Sequence, residues 1–289
     1  MLSMSSSSTH SLRGLLITQF CGAFNDNAWK LMVALLAIKQ VSAELGGAGP
    51  EFEAAAQTQT TITFVAFTLP MMLISIVAGV FSDRFSKRSV IIAMKWVEVG
   101  LMALGTLALF LNPFGGILPL LILMAMGAQS ALYSPAKYGI LPEILPHEQL
   151  TSGNGSLELW TFLAIIMGTA AGGVLLELAG TSPWLAGLVL TSLTFAGLVS
   201  CYTIPQVPPA RAEGGIYATV TSAWEAVRSD RVLQFGILGA ITFWTIASLV
   251  GQDIIIYGKS VLHLSDSKTG FPLAAFGLGI GIGAVLAGK

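Results

Sequence analysis

Charge is what this chain is short of. Charged residues make up 10% of its 289 positions, against about 25% in an ordinary soluble domain. A soluble fold of this length needs a charged shell, and too few such residues are present to build one, so lipid must cover most of the surface. Cysteine is nearly missing: Cys21 and Cys201 both lie in apolar runs with no metal-like spacing. That excludes a disulfide framework and points to two inert, buried thiols. The three histidines, His10, His147 and His263, fall on three separate segments. No histidine is followed by four residues and an aspartate, and no glycine-rich loop ends in Lys-Ser or Lys-Thr. A catalytic constellation and a cofactor-binding motif are therefore both lacking, and the expectation is a protein that is not an enzyme. A basic surplus is lacking too. The formal net charge is −1, with the signs segregated along the chain, so nothing points to nucleic acid. Residues 1–10 are Ser-rich, without the basic start and cleavage site of a signal peptide, and are expected to be a disordered lead-in.

Long apolar runs are what the chain has. Mean hydropathy is +0.78. A helix needs about 20 apolar residues to cross the hydrocarbon core. Runs of that order occur near 13–39, 58–82, 89–111, 116–138, 153–178, 183–204, 232–257 and 269–289. None alternates as a barrel strand would. The expected fold class is an all-α membrane protein. Short turns join most neighbours, whereas 205–231 is longer and carries Pro205, Pro208, Pro209, Gly214 and Gly215. This linker divides the chain into 1–204, a six-helix half, 205–231, and 232–289, the start of an incomplete second half. Within the linker, residues 216–231 suit an amphipathic helix on the membrane surface.

Basic residues set the orientation. One side collects Arg13, Arg84, Lys87, Arg88, Lys137, Arg211, Arg228 and Arg231; the other has only Lys39, Lys259 and Lys268, with an acidic first loop holding Glu44, Glu51 and Glu53. This imbalance places the N-terminus in the cytoplasm. Small residues suited to close helix packing gather at Gly168, Gly172 and Gly173 and at Gly277, Gly279, Gly281 and Gly283.

Three polar constellations interrupt the apolar runs. The turn after the second span contains Gly79, Asp83, Arg84, Lys87 and Arg88. Gly79 is expected to let a neighbouring helix approach, Asp83 to cap or pair, and the basic residues to hold the turn on an anionic leaflet. The first span holds Asn25, Asp26, Asn27 and Lys30 near mid-membrane. An ionisable group there costs about 2.5–3.5 kcal/mol on insertion scales, so it should face a cavity or a partner. Lys30, four residues on from Asp26, could be that partner; the two asparagines suggest instead the polar wall of a water-filled cavity. The third constellation is the string SPAKYGILPE. In it Pro135 should kink the fourth span, and Lys137 is a point charge suited to phosphate or to snorkelling. Glu158, two turns into the fifth span, could pair with Arg84 or Lys137. Lys95 and Glu98, one turn apart on the third span, could neutralise each other.

The turn at 79–88 resembles the G-x-x-x-D-R-x-G-R-R loop of the major facilitator superfamily, with Ser86 in place of the usual second glycine. That resemblance implies the major facilitator fold, here its N-terminal six-helix half plus the first two helices of the C-terminal half. The strings QFCGAFNDNAWK, YSPAKYGILPEILPHEQL and NGSLE look like motifs of the bacterial lysophospholipid transporters within that superfamily, and the likeness returns at FGLGIGIGAVLAG. It implies movement of lysophosphatidylethanolamine and related lysolipids across the bacterial inner membrane for reacylation. It also implicates Asp26 and Lys137. Stand-alone members carry an arginine partway along the seventh span, where this chain reads Phe243 to Asp253 without one. In this it is closer to members fused to an acyltransferase and an acyl-carrier-protein synthetase. The expected substrate site is Asn25, Asp26, Asn27, Lys30, Lys137 and Glu158. Two other readings stand beside it. One is a major facilitator exporter of drugs or metabolites, which the absence of proline between Gly168 and Gly173 weighs against. The other is a membrane platform for fused lipid-acylating domains.

Overall fold

The computed structural model describes residues 6–209 and 216–287, with side chains at 76, 83, 223 and in the terminal stretches 6–10, 216–220 and 281–287 outside that description. Among the described residues there is no strand. Ten α-helices follow in order: α1 (Ser6–Leu45), α2 (Pro50–Arg84), α3 (Lys87–Leu111), α4 (Ile117–Gly139), a single turn α5 (Leu141–Ile144), α6 (Leu150–Ala179), α7 (Trp184–Cys201), α8 (Ile216–Ser229), α9 (Arg231–Ser260) and α10 (Asp266–Ala287). Among the described residues six stretches, on α2, α3, α4 with α5, α6, α7 and α9, are long and apolar enough to cross a membrane. The 40-residue α1 is also of spanning length, but its polar stretch at 25–30 dilutes its apolar character.

The helices run past the apolar stretches that announce them. Hydropathy leaves a loop of some eighteen residues after the first span, whereas α1 continues to Leu45 and α2 starts at Pro50. Only the part of a helix inside lipid needs to be apolar. The real break is chemical: Gly46, Gly47 and Gly49 adopt positive φ, and Pro50 stands in the first turn of α2, where its missing N–H costs nothing. α4 continues through Pro135 and ends four residues later. Asp230 caps α9, its carboxylate accepting from Val232 N (2.8 Å) and Leu233 N (3.3 Å).

α1 sits centrally, packed on α6 and α7; α2 packs on α4, α3 on α4 and α7, α10 on α6, and α9 on α2 and α10. Small residues set the closest approaches. A Cβ on Gly172 would come within 2.6 Å of the Ala28 carbonyl oxygen, and one on Gly168 would overlap the backbone of Phe24. The glycine run of α10 behaves differently along its length. A Cβ on Gly277 would meet Ile166 at 3.1 Å, whereas Gly279 has open space; the surroundings of Gly281 and Gly283 lie outside the description. Two apolar clusters hold the bundle. One surrounds Trp29, Met32, Met102, Leu123 and Met126; the other, at the opposite end, surrounds Leu15, Ile91, Ile140, Leu157 and Cys201.

The turn at 79–88 works differently from its expected role. Gly79 has nothing within 4 Å of an added Cβ, so it admits no close neighbour. Lys87 is buried and ion-paired with Glu143 of α5 rather than turned to a lipid surface. Arg88 Nε donates to the Ile204 carbonyl at 2.6 Å, and its Nη2 to that of Tyr202 at 3.4 Å. The turn therefore ties α3 to α5 and to the end of α7. Arg84 is exposed, and the Asp83 side chain lies outside those described, as does Arg211.

Candidate functional site

A cavity of about 510 Å³ lies between α1, α2, α3, α4, α6, α9 and α10. Its two sides differ in chemistry. α1, α3 and α4 contribute the polar side chains: Gln19, Asp26, Asn27, Lys30, Lys95, Glu98, Gln129, Ser130, Tyr133 and Lys137. α2, α9 and α10 contribute mainly apolar ones, among them Phe64, Phe67, Trp244, Ile255, Leu273 and Phe276, and α6 adds Phe162 and Ile165. The charged residues reach one cavity because α1, α3 and α4 each turn one polar stripe inwards while lipid or protein covers the rest.

Asp26 does not form an ion pair with Lys30. Its Oδ2 accepts from Ser130 Oγ on α4 at 2.7 Å, and Oδ1 has no partner among the described residues. Lys30 Nζ donates to Asn27 Oδ1 at 3.1 Å and lies 5.0 Å from the Phe67 ring centre and 5.5 Å from that of Phe64. Asn27 Nδ2 donates back to the Ala23 carbonyl at 2.7 Å. Aspartate and lysine are thus both held in the cavity by separate hydrogen-bond partners.

Asn25 is not at the cavity wall. It is fully buried against α7, where its Nδ2 donates to the Leu190 carbonyl at 3.0 Å and bonds the Thr194 hydroxyl. Its role is to join α1 to α7. Glu158 is also outside the lining. It accepts from the Tyr138 hydroxyl and makes no hydrogen bond to Arg84 or Lys137 among the described residues. Lys137 lines the cavity with its Nζ 4.8 Å from the Tyr138 ring centre. The Lys95–Glu98 pair forms as its spacing suggests, Nζ to Oε2 at 2.6 Å. Its position in the cavity beside Gln129, Ser130 and Tyr133 was not legible from spacing, because one helix alone does not show which way its polar face turns.

At the other end, α1, α9 and α10 meet at Asp266. This buried carboxylate pairs with Lys259 at 2.7 Å and with Lys39. Beside it, Glu177 of α6 accepts from the Ser267 backbone N–H at 2.8 Å. Thr61 of α2 donates to Gln252 of α9 at 2.9 Å. Two of the three lysines grouped by the charge count, Lys39 and Lys259, meet here on one carboxylate.

The profile of the Major Facilitator Superfamily matches residues 15–289. The chain belongs to this superfamily. Among curated relatives, the lysophospholipid transporter LplT of Photorhabdus laumondii is 30% identical over 287 residues, covering 96% of this chain and 65% of its own length. LplT of Yersinia pestis is 29% identical over 293 residues, covering 96% of this chain and 64% of its own. The chain therefore spans about two thirds of the length of these relatives. Among solved structures, the POT family transporter PepTSo superposes with a TM-score of 0.55 at 12% identity, over 92% of this chain and 52% of that one. A peptide transporter POT mutant bound to alafosfalin gives 0.52 at 20% identity, over 85% and 49%. At those identities the likeness is one of fold. Together with its spanning helices, superfamily membership makes this a multi-pass membrane protein with the all-α major facilitator fold.

Proposed function

We propose that this chain carries lysophospholipids across the bacterial inner membrane by alternating access. One observation above all supports the reading: a single cavity has a charged, hydrogen-bonding side and an aromatic and aliphatic side. A lysophospholipid has the matching division, a phosphate-bearing headgroup and one acyl chain. Lys30 and Lys137 would meet the phosphate as point charges, with Asp26 and Asn27 completing the headgroup site. Phe64, Phe67, Trp244 and Phe276 would face the chain. The names of the LplT relatives agree with this substrate class.

In this proposal residues 1–204 form one half, 205–231 a cytoplasmic linker and 232–289 the beginning of the other half, with the N-terminus in the cytoplasm. Substrate enters sideways from the outer leaflet, and rocking of the halves delivers it inward. A fused or associated acyltransferase and acyl-carrier-protein synthetase would consume the product.

The test is uptake of labelled lysophosphatidylethanolamine by spheroplasts of a strain lacking its own transporter, using the full gene that encodes this chain. Expected is uptake by wild type and its loss in Asp26→Ala at equal membrane abundance. Export of dyes without lysolipid uptake would move the assignment to a drug or metabolite exporter. Lysolipid movement indifferent to Asp26 would leave the platform reading.

A further inference from the structure

Helix α8 carries an amphipathic pattern away from the cavity. Ile216, Val220, Trp224 and Val227 recur at helical spacing along one side of its sequence. Trp224 is 67% exposed, so the rest of the chain leaves that side uncovered there. Arg228 follows Trp224 by one turn, whereas Glu225 stands about 100° round the helix. With 14 residues, α8 is marginal as a helix in water, and a capped corner holds its end. Gln234 Nε2 of α9 donates to the Val227 and Arg228 carbonyls at 2.9 and 3.2 Å, while Asp230 caps the start of α9.

Position and charge say what covers this side. α2 and α9 cross at the Thr61–Gln252 bond, near the start of one helix and the end of the other. Arg84, at the end of α2, and Arg231, at the start of α9, therefore lie at one end of the bundle with α8, which packs on both helices. Arg84, Arg228 and Arg231 are exposed, and the ion pairs among the described residues involve other groups. On the outside of the bundle towards that end, Trp96 Nε1 donates to the Tyr202 hydroxyl at 3.1 Å, and both side chains are exposed. Such aromatic side chains gather at the level of lipid headgroups.

We infer that α8 lies on the membrane surface and binds anionic phospholipid headgroups there, with Trp224 and Val227 among the acyl chains and Arg84, Arg228 and Arg231 on the phosphates. A phospholipid held here is a constituent of the bilayer rather than cargo, so the inference goes beyond the carrier reading and stands without it. The two terms differ in what they sense. Burial of Trp224 and Val227 favours any bilayer, whereas the guanidinium groups favour one with a negative surface and lose that preference as salt screens it.

The experiment uses the full gene product with its cysteines replaced and Val227→Cys introduced, labelled there with an environment-sensitive fluorophore. The protein is reconstituted into vesicles of phosphatidylcholine, alone or mixed with phosphatidylglycerol. A label that enters the acyl chains emits at shorter wavelength and is quenched by lipids brominated on the chain. Both signals are expected to be severalfold larger in the mixed vesicles and to fall as salt is added. Each arginine near an anionic surface is worth about fivefold in docking, so Arg228→Gln with Arg231→Gln is expected to lower the docked-to-free ratio about 25-fold. That brings the signal in mixed vesicles down to its level in phosphatidylcholine. Trp224→Ser is expected to weaken docking in both vesicle types. Equal emission and quenching in the two types overturn the inference, as does a double arginine variant that keeps the response to phosphatidylglycerol. A label shielded from water but untouched by brominated lipid also overturns it, because protein would then cover this side of α8.

Discussion

Asn25 and Asp26 are neighbours in the chain and about 100° apart around α1. That rotation sends Asp26 into the cavity and Asn25 into the contact with α7. Both are polar and both interrupt the same apolar run, so composition alone groups them; burial against a particular helix separates them. Asn25→Ala removes the hydrogen bonds to the Leu190 carbonyl and Thr194 and strands their partners. It is expected to cost about 1–3 kcal/mol of stability, read as a lower midpoint in thermal unfolding of detergent-purified protein. In the proposed carrier, uptake of lysophosphatidylethanolamine per folded molecule should stay as in wild type, and a loss beyond the fall in folded protein would return Asn25 to the substrate site. Lys30 gives a similar lesson. Its spacing from Asp26 permits an ion pair, yet the rings of Phe64 and Phe67 and the Asn27 amide hold it instead.

At the scale of elements, glycine is legible as a residue type but not as a contact. Gly172 of α6 lies so close to α1 that an added Cβ would reach 2.6 Å from the Ala28 carbonyl oxygen, whereas Gly79 of α2 has nothing within 4 Å. Backbone cannot retreat as a flexible side chain can, so the first site resists any enlargement. Gly172→Val is expected to reduce folded, monodisperse protein severalfold in fluorescence-detected size-exclusion chromatography. Gly79→Val should elute at wild-type yield. Equal yields from the two would mean that α1 and α6 can separate without loss. The approximate places of the apolar helices follow from hydropathy because lipid imposes a minimum apolar length. Their ends do not, because a helix outside lipid is limited by glycine, proline and capping chemistry rather than by apolarity.

At the scale of the whole molecule, the contacts of α9 and α10 with α1, α2 and α6 include a polar group at one end. Lys39, Lys259 and Asp266 form a charge triad there, with the Glu177 to Ser267 bond beside it. In the proposed alternating-access cycle and orientation, that end faces outward and must part for the cavity to open there. Asp266→Asn weakens both ion pairs and is expected to shift the population towards opening at that end. The check is labelling of a cavity cysteine, Thr68→Cys in a Cys21→Ala, Cys201→Ala background, by a membrane-impermeant maleimide added outside spheroplasts. Labelling should rise severalfold with Asp266→Asn; an unchanged rate would show that the triad does not hold that end closed.

Sequence by itself determined that the chain lives in lipid, that it is helical, roughly where its apolar helices lie and which superfamily it resembles. Those features depend on local composition, helix length and spacing, which one strand of text contains in full. Only the tertiary structure decided which polar residues share a cavity, that Asn25 and Glu158 stand outside it, that Lys87 is buried against Glu143, and that Lys95 and Glu98 face inward. Each of these depends on how a helix is rotated against its neighbours, and that rotation is set by the joint packing of α1, α3, α4, α6 and α7, not by any one of them.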